Sequence, residues 1–331
     1  MIRRMRSRRR SRVPLAVLAL TAIFASVFVF RCFIPSSSES SSKCGGSECT
    51  SKVAGVSLTA TPASQPDVSF EGTTPPPSIS ALSAVVLEDS CSDLLFAKDP
   101  HRRLPPASIT KIVTAIIAVE ATEPDDVVDV NVDDFFAGDG TVMGLETGMQ
   151  MTMRDLLYGL LLPSANDAAI AIARYVAGDV PSFVERMNAK VRELGLQDTH
   201  FTNPHGLDAA GHYSSAYDMA MLGRYAMKDP LIAEIVKTQS YTPNWNGGEL
   251  WNGNLLLWLY PGADGIKTGW TDKAGQTMIA TAQRDGHRLV VAIMDSQDRY
   301  TDAIRLLDWG FANVSATPAG SCDALPAGAG Q

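Results

Sequence analysis

The chain has 331 residues, of which 45% are hydrophobic and 19% charged, so it is long enough to bury a sizeable core. Residues 3–12 carry seven arginines and no acidic residue, although the formal net charge is −8. From Val13 onward, 21 basic residues therefore face 36 acidic ones, which gives that part a charge of −15. Such an acidic body repels phosphate backbones, which excludes a nucleic-acid partner.

The arginines precede an uncharged, mostly apolar run of 18 residues, Val13 to Phe30. A cleaved signal peptide has a shorter apolar stretch, of about 7–15 residues, and a small-residue cleavage site, which this run lacks. Eighteen residues approach the roughly 20 that span a bilayer, and arginines stay on the cytoplasmic side. We therefore expect residues 1–34 to form a cytoplasmic basic segment and a single-pass signal-anchor, with the remaining residues outside the cytoplasm. Secretion after signal cleavage is the alternative.

Residues 35–79 are dominated by Ser, Thr, Pro and Gly, which predicts a disordered tether that buries too little apolar surface to fold. Five cysteines are too few for a disulfide scaffold, and none has zinc-type spacing with histidine. Two of them, Cys44 and Cys49, lie close enough in sequence to pair outside the cell.

Patterned sequence begins near residue 80 and indicates strands at both ends with helices between them. Apolar runs at 84–87 and 94–96 predict a hairpin, and a second hairpin joins 277–282 to 289–294 through Asp285-Gly286. Helical spacing predicts helices over 107–120, 153–162, 168–176, 181–194, 216–227 and 301–309, the last ended by Gly310. This order predicts an α+β fold, with an antiparallel sheet packed against a helical cluster. We expect one catalytic domain, 80–314, and a flexible tail, 315–331.

Ser108-Ile109-Thr110-Lys111 is the first motif that can carry chemistry. A serine hydroxyl is a poor nucleophile until a base removes its proton, and residues three apart on a helix share a face. The stripe that includes Ile109 and Ile112 can anchor this helix in the core, while Ser108 and Lys111 face a cleft. The two prolines before it predict a helix N-terminus, where backbone N–H groups can stabilise negative charge.

Two further motifs follow, Ser164-Ala165-Asn166 and Lys267-Thr268-Gly269. Each motif alone is weak: Ser40 and Lys43 have the same spacing in the tether, and the second motif is also typical of an ordinary helix–helix turn. All three in this order, each in a suitable element, are hard to obtain by coincidence.

Together they are the pattern of the penicillin-recognising serine enzymes. The surrounding sequence resembles the D-alanyl-D-alanine carboxypeptidases, the low-molecular-mass penicillin-binding proteins, over residues 80–312. Four segments carry this resemblance: 104–111, 156–167, 203–208 and 264–271.

The resemblance implies a β-lactamase/transpeptidase-like fold and a carboxypeptidase that removes the terminal D-alanine of peptidoglycan pentapeptides without a cofactor. Its partners would be wall stem peptides, β-lactams as covalent inhibitors, and the membrane through the N-terminal segment. Ser108 would form the acyl-enzyme, Lys111 would activate it, and Ser164 would relay a proton to the leaving D-alanine. The implied substrate-binding residues are Asn166, Lys267, Thr268, Gly269, Trp270 and Arg299.

Within this group, Asn166 would hold the substrate amide, and Lys267, Thr268 and Arg299 would contact the terminal carboxylate. The oxyanion hole would consist of the backbone N–H groups of Ser108 and Trp270. Physical chemistry adds that Lys111 must be neutral to act as a base, which partial burial beside a second cation, Lys267, favours.

Other functions remain open at this point. A metal peptidase is disfavoured, because Pro204 and Gly206 break any helix between the clustered histidines, which are expected to order a loop instead; no metal site is expected. The intact motif residues argue against an inactive wall-binding module. An endopeptidase of the same fold or a serine β-lactamase are the alternatives, although 167–266 lacks the Glu-x-x-Leu-Asn segment that activates water in many β-lactamases.

Overall fold

The computed structural model describes residues 74–90, 94–135, 140–245 and 247–314. The predicted anchor, the predicted tail, the tether up to residue 73 and all five cysteines lie outside these residues. Within the described part, no helix combines the length and the apolar character needed to cross a membrane.

A five-stranded antiparallel sheet forms the centre of the described fold. Its strands are β1 Ser83–Glu88, β2 Leu94–Lys98, β7 Ala263–Thr271, β8 Gly275–Arg284 and β9 His287–Ser296. Their order across the sheet is β2-β1-β9-β8-β7. Two short pairs lie outside it: β3 Val127–Asp129 with β4 Gln150–Thr152, and β5 Ser240–Tyr241 with β6 Leu250–Trp251. Both predicted hairpins are confirmed, as β1–β2 and β8–β9. The second turns at Asp285 and Gly286, whose positive φ angles of 50° and 84° suit a two-residue hairpin.

Eight helices are described: α1 Lys111–Ala121, α2 Met153–Leu161, α3 Asn166–Ala177, α4 Val180–Glu193, α5 Ala216–Ala226, α6 Pro230–Lys237, α7 Leu256–Leu259 and α8 Arg299–Asn313. The predicted α+β class is confirmed, with α1 to α6 packed against one sheet face. The opposite face is covered by α8 and α7. In β1, Val85 and Leu87 join the first core while Ala84 and Val86 join the second, which explains why this strand is apolar on both faces.

The prediction that Gly310 ends the last helix is wrong. Helix α8 continues through this residue to Asn313. A Cβ atom at Gly310 would lie 2.6 Å from Leu289 Cδ1 and 3.3 Å from Val86 Cγ1. The glycine is therefore needed for the close approach of α8 to the sheet, and it is not a helix stop.

Residues 74–79, which the sequence assigns to the tether, contact α8 in the structure. Trp309 Nε1 donates to the Thr74 carbonyl at 3.2 Å, and Arg305 Nη1 donates to the Ser78 carbonyl at 3.0 Å. The chain thus joins the folded body along α8, a few residues before the predicted boundary.

Candidate active site

The nucleophile candidate Ser108 lies in a single 3₁₀ turn, Ala107–Thr110, that leads directly into α1. The sequence predicts a continuous helix here. In a 3₁₀ turn the side chains at i and i+3 eclipse, which places Ser108 and Lys111 directly on the same side of the turn. Ala107 adopts a positive φ of 53°, a strained conformation of the kind that clusters at functional sites. Beneath the turn, Ile109 and Ile112 are fully buried, as the stripe predicts.

Lys111 lies under Ser108 and is completely buried. Its Nζ lies 3.0 Å from Ser108 Oγ, 2.7 Å from Asn166 Oδ1 and 2.6 Å from the His205 carbonyl oxygen. A neutral amine has two protons and one lone pair. It can therefore donate to Asn166 and His205 while accepting the proton of the Ser108 hydroxyl.

The electrostatic surroundings favour this neutral form. Burial, followed by the charge of Lys267, holds the pKa of Lys111 well below its ordinary value, while Asp167 acts in the opposite direction. Burial is the largest cause that lowers the pKa of the neighbouring His205, to about 3, so this ring is neutral. The lowering of the Lys111 pKa by a second cation, which the sequence predicts, is thus present, and Lys111 is fully rather than partly buried.

Ser164 lies at the turn between α2 and α3 and faces the same cleft. Its φ of 71° is left-handed, which is unusual for serine. The turn is closed by two backbone hydrogen bonds, from Ala165 N to the Gly159 carbonyl at 2.9 Å and from Asn166 N to the Thr141 carbonyl at 2.7 Å. The Ser164 hydroxyl is buried and has no hydrogen bond to any described residue, so it is free to accept or donate one in the cleft.

Strand β7 forms the opposite wall of the cleft. A Cβ atom at Gly269 would lie 2.7 Å from Ser108 N, so only glycine lets this strand approach the nucleophile turn so closely. Lys267 is buried and donates to the Thr268 carbonyl at 2.9 Å; burial and then Arg299 lower its pKa to about 7. Trp270 follows with 58% of its surface exposed at the rim.

Arg299 reaches this wall from the first turn of α8. Its Nη1 donates to the Gly269 carbonyl at 2.5 Å and to the Thr277 carbonyl at 3.3 Å. Burial lowers the pKa of Arg299. Two cationic side chains, Arg299 and Lys267, therefore lie at one end of the cleft, where a carboxylate would be stabilised.

The cleft has a volume of about 700 Å³. Eight of the nine predicted site residues line it: Ser108, Ser164, Asn166, Lys267, Thr268, Gly269, Trp270 and Arg299. The ninth, Lys111, lies below Ser108 and touches it from the protein side. The structure therefore brings the three sequence motifs to one place.

Comparisons with known proteins agree with this geometry. The family model of the D-alanyl-D-alanine carboxypeptidases, peptidase family S11, matches residues 70–298. This chain belongs to that family.

Its relatives in the carboxypeptidase family include the D-alanyl-D-alanine carboxypeptidase DacD of Salmonella typhimurium, 39% identical over 256 residues. That match covers 72% of this chain and 65% of the relative, so the chain spans slightly less than two thirds of the relative's length. DacB2 of Mycobacterium tuberculosis is 38% identical, with 74% of this chain and 87% of the relative covered. Penicillin-binding protein 6B of Escherichia coli superposes with a TM-score of 0.69 at 37% identity, over 73% of this chain and 80% of that one.

The carboxypeptidase-family site also uses groups to which the sequence analysis gave no role. The His205 carbonyl holds Lys111, yet no side-chain pattern can reveal a backbone acceptor. Asp208 accepts from Thr271 Oγ1 at 2.9 Å, and both line the cleft. These residues lie in the segments 203–208 and 264–271, so the signal for them was the resemblance and not a motif.

The clustered histidines order a loop, as predicted. His212 Nδ1 accepts from Thr202 N at 3.0 Å. In the neutral ring Nε2 therefore carries the proton and donates to Thr110 Oγ1 at 3.0 Å. Burial lowers the pKa of His212 to about 4, which keeps it neutral. His200 Nδ1 lies 2.7 Å from the Gly211 carbonyl and His205 Nδ1 accepts from Leu207 N, so all three rings are used by the loop.

Proposed function

We propose that this chain is a serine D-alanyl-D-alanine carboxypeptidase that removes the terminal D-alanine from peptidoglycan stem pentapeptides through an acyl-enzyme on Ser108. The observation that carries the proposal is the 3.0 Å contact between Ser108 Oγ and the buried amine of Lys111, whose pKa is held well below its ordinary value by burial. Membership of the carboxypeptidase family supports the substrate class.

The acylation step follows from the positions of the groups. Lys111 takes the hydroxyl proton as Ser108 Oγ attacks the carbonyl carbon of the penultimate D-alanine. The resulting oxyanion would be held by the backbone N–H groups of Ser108 and Trp270, which the close approach of β7 at Gly269 brings together. When the C–N bond breaks, the leaving amine takes a proton through Ser164, and the ester remains on Ser108.

Substrate orientation comes from the polar groups around the cleft. Lys267, Thr268 and Arg299 lie where they can bind the terminal carboxylate, which places the last peptide bond over Ser108. Asn166 would hold the substrate amide through its side-chain nitrogen, because its oxygen accepts from Lys111. A water molecule then attacks the ester carbonyl carbon. Its hydroxyl group becomes part of the released tetrapeptide carboxyl group, and its other proton restores the Ser108 hydroxyl.

D-alanine release tests this function against the β-lactamase alternative. The full-length chain, purified in mild detergent, is incubated with a wall pentapeptide and separately with penicillin. We expect D-alanine release and slow penicillin turnover, since the carboxylates among the described cleft residues are Asp208 and Asp272, and Asp208 is engaged by Thr271. Fast penicillin hydrolysis without D-alanine release would contradict the proposal.

Transfer to an acceptor amine is a second candidate activity. The Streptomyces K15 DD-transpeptidase superposes with a TM-score of 0.68 at 30% identity, over 72% of this chain and all of that one. Adding glycine or a D-amino acid to the pentapeptide reaction measures the partition of the acyl-enzyme between water and acceptor. A product extended by the acceptor would support transpeptidation, and tetrapeptide alone would support hydrolysis.

We also propose that the enzyme is held at the extracytoplasmic face of the membrane by its N-terminal segment. The support is the sequence alone: seven arginines before the 18-residue apolar run. Cell fractionation with alkaline carbonate washing tests it. A signal-anchor keeps the chain in the membrane pellet at full length, whereas cleavage gives a shorter secreted form.

A further inference from the structure

Asp167, the residue after Asn166, has no role in the chemistry described so far. Its side chain is buried in the first turn of α3. The carboxylate accepts from the backbone N–H groups of Met143 at 3.0 Å, Gly144 at 2.9 Å and Leu145 at 2.9 Å. It also lies 3.0 Å from the N–H of Ala168. Four backbone donors on one carboxylate form a strong, charge-assisted anchor between α3 and the segment 141–145.

That segment is in turn attached to the catalytic groups. The Thr141 carbonyl accepts from Asn166 N at 2.7 Å, which satisfies the first free N–H of α3 in the absence of a side-chain cap at Ala165. The Asn166 side chain then accepts from Lys111 Nζ at 2.7 Å. A continuous series of short contacts thus leads from Asp167 to the amine beside Ser108.

We propose that Asp167 is a positioning residue for Lys111. Its carboxylate fixes the segment 141–145 and the first turn of α3, so that Asn166 holds Lys111 Nζ beside Ser108, and its negative charge acts on the same amine. This inference rests on the proposed function, because it assigns a task in the activation of Ser108.

The groups around Lys111 show why the charge matters. Facing it are Ser108 from its own turn, Asn166 and Asp167 from α3, His205 from the loop and Lys267 from β7. Burial and Lys267 lower the pKa of Lys111, His205 is neutral, and Asp167 is the anion of this group. Removing the carboxylate therefore lowers the pKa of Lys111 further, so the neutral amine persists to lower pH.

Two substitutions separate position from charge. Asp167→Asn removes the charge and replaces one accepting oxygen by a donor, whereas Asp167→Glu keeps the charge but displaces the carboxylate by one methylene. The rate constant of acylation by a fluorescent penicillin is measured for the full-length chain across the acid pH range. Each variant is normalised to its own plateau at higher pH, so that the shape of its profile does not depend on the fraction folded.

Both variants should acylate at least about tenfold more slowly on the plateau, because small misplacements of reacting groups cost one to two orders of magnitude. The acid limb of Asp167→Asn should move to lower pH, whereas that of Asp167→Glu should stay at the wild-type position. A plateau equal to that of the wild type, or an unmoved limb in Asp167→Asn, would overturn the proposal.

Asp218→Asn is the matched control. Asp218 is likewise buried in the first turn of a helix, α5, and accepts from Asp198 N at 2.8 Å and Thr199 Oγ1 at 2.7 Å. We expect a lower melting temperature with an unchanged acid limb. If Asp167→Asn only reproduces this behaviour, its role is structural and the proposal is wrong. A wild-type chain that is not labelled at any pH would instead refute the proposed function itself.

Discussion

Burial controls the chemistry of the individual residues in the cleft, because it removes two lysine side chains from water. Lys111 is 0% and Lys267 is 2% exposed, and each has a cationic neighbour. Desolvation disfavours a charged amine, and a neighbouring positive charge disfavours it again. Both effects support the proposed role of Lys111 as the base beside Ser108.

Replacing Lys267 by Met should move the acid limb of penicillin acylation to higher pH. The cation that lowers the pKa of Lys111 is then absent, so this pKa rises and a smaller fraction of Lys111 is neutral at a given acidic pH. The shift is opposite in sign to that expected for Asp167→Asn. A limb that moves to lower pH or stays in place would contradict the electrostatic account of Lys111.

The same substitution should stabilise the fold. The pKa of Lys267 is about 7 in the folded chain against an ordinary 10.5, so the folded state binds fewer protons between these two pH values. The resulting loss of stability therefore begins below pH 10.5, grows as the pH falls to about 7 and stays constant below that. Lys267→Met removes that penalty, and we expect a gain of about 1–2 kcal/mol in the free energy of unfolding, which shrinks as pH rises towards 10.5. Thermal melting at several pH values measures it.

Lys190→Met is the control for this stability prediction. Lys190 is ion-paired at 2.9 Å with both Glu120 and Glu193, so its loss should lower stability where the loss of Lys267 raises it. If both substitutions destabilise the chain equally, then the burial of Lys267 does not lower the free energy of unfolding, and the prediction is wrong.

At the scale of secondary structure, the sequence predicted the elements that have a clear period and missed those set by tertiary contact. Periodicity predicted most of the helices and both hairpins. Strand β7 was missed because Gly265 and Gly269 interrupt its apolar alternation; Gly269 is required by the approach to Ser108. Helix α6 was also missed, although its sequence contains a signal for a helix start. The Asp229 side chain accepts from Ile232 N as a cap, and Pro230 follows it.

Gly310→Ala should destabilise the chain by about 1–3 kcal/mol, because its methyl group would overlap Leu289 on β9. Intrinsic helix propensity alone predicts the opposite sign, since alanine is the better helix former. Adding Leu289→Val should recover part of the loss, which a double-mutant cycle in urea measures. Stabilisation by Gly310→Ala alone would contradict the close packing of α8.

The predicted site is more complete than the predicted fold. Three short motifs contain seven of the nine predicted site residues, and the family resemblance supplied Trp270, Arg299 and the substrate-binding roles. The contacts that orient them could not be read from the sequence: they are backbone groups, such as the His205 and Thr141 carbonyls, whose positions depend on the whole fold.

For the whole molecule, we propose that the described fold and the predicted anchor are separate functional parts. The predicted site residues all lie between 108 and 299, and the chain enters this body along α8 from residue 74. Removal of residues 1–34 should therefore release a detergent-free protein that still binds penicillin at the rate of the full-length chain. A fragment that still sediments with membranes would place the attachment elsewhere, and one that folds but does not bind penicillin would contradict the separation.

The most direct test of the central claim is the site of the covalent intermediate. Full-length chain is incubated with penicillin, digested and analysed by tandem mass spectrometry, alongside Ser108→Ala with a verified melting transition. We predict a penicilloyl adduct on Ser108 in the wild type and no adduct in the variant, because the buried Lys111 amine that we propose as the base lies 3.0 Å from this hydroxyl. An adduct on another residue, or undiminished labelling of Ser108→Ala, would contradict the account.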